Sequence, residues 1–121
     1  MKQVQEIIAI MFLTREYAHR EHLKTESDEY HRALSMLYAG IGDIADEFAE
    51  TWMGLYGERI GNIPYRLAKT GEVDDVIESQ MTAIEDLRDS LDGQRDRPLQ
   101  NIIDTAISLY AKTLFLLRNL K

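Results

Sequence analysis

Two imidazoles and two carboxylates dominate the chemistry open to this chain. His19, His31, Asp46 and Glu50 follow one another at intervals of twelve, fifteen and four residues. Such a donor set suits iron or zinc, because imidazole offers neutral nitrogen while the carboxylates offset the ion's charge. The spacing restricts how the four can meet. If 17–23 and 28–50 are helical, they are joined by Lys24-Thr25-Glu26-Ser27, with residue 25 midway between the histidines. An antiparallel helical hairpin then brings both rings to about the same height. Asp46 and Glu50 stand one turn apart on one face of the second helix. His31 and Asp46, fifteen residues apart on that helix, are separated by about 22 Å. No single ion spans that distance. Either the pairs are unrelated half-sites, or a second copy brings its Asp46 and Glu50 to the first copy's histidines. A two-fold axis between antiparallel helices does this naturally.

The elements that must hold these residues are legible from apolar periodicity. Residues 3–23 carry Val4, Ile7, Ile8, Met11 and Phe12 at helical spacing. Thr25 or Ser27 is placed to cap the next helix, with Asp28 and Glu29 in its first turn. Residues 28–55 carry a stripe of Leu34, Leu37, Ile41, Ile44, Phe48 and Leu55. About a quarter turn away runs a second stripe of small residues, Ser35, Ala39, Gly42, Ala45 and Ala49, which reads as a close helix contact across the two-fold axis. Residues 54–71 hold four glycines and Pro64 and read as a connector, with a short helical turn at 65–69. A third helix over 72–91 ends at Gly93. Pro98 opens a fourth. That helix places Ile102, Ala106, Tyr110, Leu114 and Leu117 inside, with Arg118 and Lys121 at its C-terminal pole. These elements make one all-α domain, 1–121, a four-helix bundle with two short hairpins and a longer central connector.

Composition narrows the class. The 121 residues include 21 acidic and 14 basic ones, a net charge of −7, which leaves little to neutralise DNA phosphates. There is no cysteine, so neither disulfides nor thiolate metal sites arise. The chain shows no signal-like start and no apolar run long enough to span a bilayer, so the expectation is a cytoplasmic protein without a membrane partner. Nucleophilic catalysis and a phosphate-binding glycine loop find no support in the sequence.

The four spaced ligands, set in Ala18-His19-Arg20-Glu21-His22 and Ile44-Ala45-Asp46-Glu47-Phe48-Ala49-Glu50, resemble the signature of the miniferritin (Dps) family, DNA-binding proteins from starved cells. The resemblance extends over the whole chain and implies a ferritin-like bundle. It also implies an inter-subunit ferroxidase site on a two-fold axis, with His19, His31, Asp46 and Glu50 as metal ligands. The protein would then oxidise Fe(II) with peroxide or oxygen and store the product in a twelve-subunit cage. Iron is the implied ion and zinc the alternative. Two positions depart from the family pattern. Arg20 replaces the customary Trp after the first His, and Ser35 replaces the carboxylate four residues after the second. The Lys-rich tail some members use on DNA is absent.

Other readings are open. Glu47-x-x-Glu50 and Glu72-x-x-Asp75 loosely resemble the all-helical nucleotide pyrophosphohydrolases, which hold Mg²⁺ between facing helices. A non-catalytic helical interaction protein, bacterial or viral, would keep the bundle without iron chemistry. Glu16-x-x-His19 and Asp28-x-x-His31 match the carboxylate-x-x-His pattern of di-iron bundles. His22 has no partner in the four-ligand scheme and is expected to face solvent, while Trp52 is expected to pack.

Overall fold

The computed structural model describes residues 1–119, and Lys121 lies outside them. Four helices appear in chain order: α1 (Lys2–Lys24), α2 (Asp28–Tyr56), α3 (Val73–Arg88) and α4 (Arg97–Asn119), with a single 3-10 turn, Gln94–Asp96, ahead of α4. No strand occurs among the described residues. The protein is an all-α bundle.

The short link between α1 and α2 ends at Ser27, whose hydroxyl accepts from the Tyr30 N–H at 3.2 Å and so satisfies one orphan donor of the first turn. Asp28 and Glu29 complement the positive end of the helix dipole. From there α2 runs 29 residues without interruption through Gly40 and Gly42. It closes at Gly57, in the left-handed region at φ 66°, whose N–H donates to the Met53 carbonyl at 2.8 Å.

The apolar stripes behave as their periods require. Leu34, Leu37, Ile41 and Phe48 from α2 and Tyr110, Ala106 and Leu117 from α4 are fully or almost fully buried in one core. Phe12 differs: it leaves the α1 stripe and is 40 % exposed.

Helix α1 packs on α2 and α3, and α4 packs on the same two. Helices α2 and α3 therefore lie across the diagonal of the bundle, and residues 57–72 make the long crossover between them. That segment contains no helical turn at 65–69. Its path is irregular and tied by side-chain anchors instead: Gln5 donates to the Ile60 carbonyl at 2.7 Å, and Arg66 pairs with Glu6. Helix α3 also stops earlier than Gly93. The Ser90 hydroxyl bonds back to the Leu87 carbonyl at 2.6 Å, the chain turns, and Leu91 enters the core. Gly93 instead precedes the 3-10 turn.

The small-residue stripe of α2 is used inside the chain. Ala45 is fully buried in the core, and a Cβ at Gly42 would meet the Arg15 side chain of α1 at 3.1 Å. Gly40 is the tighter approach: a Cβ there would stand 2.7 Å from Leu109 of α4. Only Ala39 of this stripe is exposed.

Candidate metal site at the α1–α2 hairpin

The hairpin brings three histidines together at its closed end. His22, on the last turn of α1, is only 8 % exposed. Its ring stacks on His31 of α2, with centroids 3.7 Å apart and planes 30° from parallel. His19, one turn earlier on α1, lies with its centroid 6.0 Å from His22 and stacks on Tyr38 at 4.3 Å. Tyr38 also meets the His22 ring edge-on at 5.2 Å. The expectation that His22 faces solvent is therefore wrong. Its place at the C-terminal end of α1, opposite the first turn of α2, makes it the centre of the cluster.

A reciprocal pair of backbone contacts decides how these rings are oriented. The Nδ1 of His22 lies 2.9 Å from the His31 carbonyl oxygen, and the Nδ1 of His31 lies 3.2 Å from the His22 carbonyl oxygen. A carbonyl oxygen only accepts, so each Nδ1 must carry the proton. In the neutral rings that leaves both Nε2 atoms with free lone pairs. This is the arrangement found in metal-ligating histidines, whose other ring nitrogen donates to a fixed acceptor. Ser35 adds to it, with its hydroxyl 2.8 Å from the His22 Nδ1.

The remaining candidates are apart from this cluster. Asp46 and Glu50 are both exposed on α2, and the unbroken helix keeps them about 22 Å from His31 along its axis. His19 and His31 are exposed as well. Glu16 does not serve His19; its carboxylate binds Arg20 at 2.8 Å. Among the described residues no group of three or more His, Cys, Asp or Glu side chains is arranged to hold a metal ion. The acids of the pyrophosphohydrolase pattern are likewise not brought together: Glu47 and Glu50 sit on α2, Asp75 on α3 and Glu72 just before it, all exposed, and those helices are diagonal.

The family match spans most of these positions. The chain belongs to DUF5856, a family of unknown function. The family's profile matches residues 22–117, which begins at His22 and takes in His31, Asp46, Glu50 and all of α2 and α3. No curated protein and no solved structure matches the chain. No helix among the described residues is long and apolar enough to cross a membrane.

A second polar group lies inside the bundle, and periodicity did not reveal it. The Thr14 hydroxyl donates to Gln80 Oε1 at 2.9 Å and contacts the Tyr110 hydroxyl at 2.5 Å, linking α1, α3 and α4. All three are buried, and the Gln80 Nε2 has no hydrogen-bond partner among the described residues. Burial pushes the Tyr110 hydroxyl above the ordinary tyrosine range, so it stays neutral. The chemistry here is structural: a neutral chain of hydrogen bonds fixing helix register.

Proposed function

We propose that this protein binds Fe(II) at sites shared between two copies, His19 and His31 from one and Asp46 and Glu50 from the other. It oxidises the iron with peroxide or oxygen and sequesters the product in an oligomer of the miniferritin kind. The observation that carries the reading is the continuity of α2. All four side chains are exposed, yet one unbroken helix holds the histidine end and the carboxylate end about 22 Å apart, so a complete donor set requires a second chain. The topology supports it, since two hairpins joined by one long diagonal crossover are the connectivity of ferritin-like bundles. The fixed tautomer of His31 supports it as well, because it leaves Nε2 free to coordinate.

Ser35 modifies the chemistry. Its hydroxyl is engaged by His22 where the resemblance has a carboxylate, so a second ion should bind weakly or only through water, and slow one-electron oxidation is weighed equally with fast paired-iron chemistry. The test is Fe(II) binding and peroxide-driven oxidation by wild type, His31→Ala and Asp46→Ala. Each variant alone should lose binding. Mixing them should restore up to half of the sites in hybrid dimers, because one pocket then collects both mutations and the other none. Equal behaviour of wild type and both variants would rule the shared site out.

One observation favours a non-catalytic interaction protein instead. Tyr65 and Leu67 on the crossover are 99 % and 95 % exposed, an unusual display for apolar side chains. Absence of Fe(II) binding in wild type would leave that reading in place.

A further inference from the structure

The three-histidine cluster contains two possible chelating pairs, and the ring geometry separates them. His22 and His31 are stacked face to face at 3.7 Å. Imidazole lone pairs lie in the ring plane, so rings that present their faces to each other do not point their nitrogens at a common ion. His19 and His22 differ. They are three residues apart on α1, on one helix face, with centroids 6.0 Å apart and planes tilted by 50°. A Zn–N distance of about 2.0–2.1 Å puts each ring centre about 3.2 Å from the ion, hence the two centres about 5.2 Å apart at a tetrahedral angle. The observed separation is within a small movement of the exposed His19 ring.

We propose that His19 and His22 form a chelating pair, within one chain, for a nitrogen-preferring divalent ion of the Zn(II) class. His22 is prepared for it: the His31 carbonyl accepts from its Nδ1, and Ser35 and the stacked His31 ring hold its orientation. Tyr38 holds the face of His19. The carboxylates nearest in sequence are engaged elsewhere, Glu16 by Arg20 at 2.8 Å and Glu21 by Lys24 at 3.2 Å. The pair is therefore an all-nitrogen site, which selects zinc, copper or nickel over magnesium or calcium. Two protein ligands leave the other coordination positions to water. This site needs no second subunit and shares only His19 with the inter-subunit reading, so it stands or falls separately.

The test removes the shared site first. In an Asp46→Ala/Glu50→Ala chain, titration with Zn(II) followed calorimetrically, and with Co(II) followed by its visible absorption, should show one saturable ion per chain. Adding His19→Ala or His22→Phe to that background should abolish saturation, whereas adding His31→Ala should weaken but not abolish it, because the stacked ring is lost while the backbone carbonyl of residue 31 still accepts from the His22 Nδ1. His22 is buried and its replacement can unfold the hairpin. The helical circular dichroism of each variant is therefore recorded, and the exposed His19→Ala carries the decision if His22→Phe does not fold. No saturable Zn(II) in the Asp46→Ala/Glu50→Ala chain overturns the proposal. So does unchanged binding by His19→Ala, or a loss with His31→Ala as complete as with His19→Ala.

Discussion

At the scale of single residues, protonation governs what the site can do. A histidine must be neutral at the coordinating nitrogen, so ion affinity should fall on acidification. Isothermal titration with Zn(II) at pH 7.5 and at pH 5.5 checks this, and an unchanged affinity would speak for carboxylates alone. Tyr17 makes an alkaline counterpart. Burial first, and then the charges of Glu21, Asp74 and Glu72, push its hydroxyl up to about 12. Its folded-state value is raised, so the unfolded chain loses its proton first. The stabilisation is complete below about 10 and is lost as pH climbs to about 12. Urea midpoints measured at pH 9, 10 and 11 should therefore decline less steeply in Tyr17→Phe than in wild type.

At the scale of elements, the helix contacts set which substitutions hurt. Gln80 leaves a buried amide nitrogen without a partner among the described residues, while the Thr14 hydroxyl it contacts retains Tyr110. Gln80→Leu should thus be neutral or slightly stabilising, since an unsatisfied group of this kind costs about 1–3 kcal/mol. Tyr110→Phe should lower stability by about 1 kcal/mol, because it removes a buried hydrogen bond without relieving that amide. Thermal melts of the two variants should move in different directions or by clearly different amounts. Gly42 is a further case. The nearest atoms that a Cβ would meet belong to Arg15, an exposed side chain, at 3.1 Å. Gly42→Ala should raise stability by up to about 1 kcal/mol through helix propensity. A fall in its melting temperature would mean that the glycine meets something beyond this chain.

At the scale of the molecule, the shared site and the cage stand together. Native mass with and without Fe(II) distinguishes a monomer at 14.0 kDa from a dimer or a closed assembly of twelve chains. The proposed function expects an oligomer, and a strictly monomeric protein under iron would refute it. The charge of −7 gives this surface little with which to bind duplex DNA near pH 7. Salt-sensitive, sub-micromolar retention of DNA in a gel-shift assay would overturn that expectation.

Local sequence was enough to determine the elements. Helix periods of three and four, Ser27 with the acids that follow it, the glycines of 54–71 and Pro98 are signals that act over a few residues, and each boundary they imply falls within a few residues of the structure. The same local logic determined that His31 and Asp46 cannot meet on one chain, because helical rise alone separates them. Its misreadings share one cause. The irregular path of 57–72 depends on contacts of Ile60 and Arg66 with Gln5 and Glu6 of α1, and the early stop of α3 comes from a Ser90 back-bond together with Leu91 entering the core. His22 has no periodic partner in sequence; its partners are a carbonyl, a hydroxyl and a ring supplied by another helix. Likewise the Thr14–Gln80–Tyr110 network joins residues up to 96 positions apart. Periodicity tells which face of a helix is turned inward. Only the packed bundle decides which polar groups on neighbouring helices come within hydrogen-bonding distance, since that depends on the relative height and rotation of helices far apart in the chain.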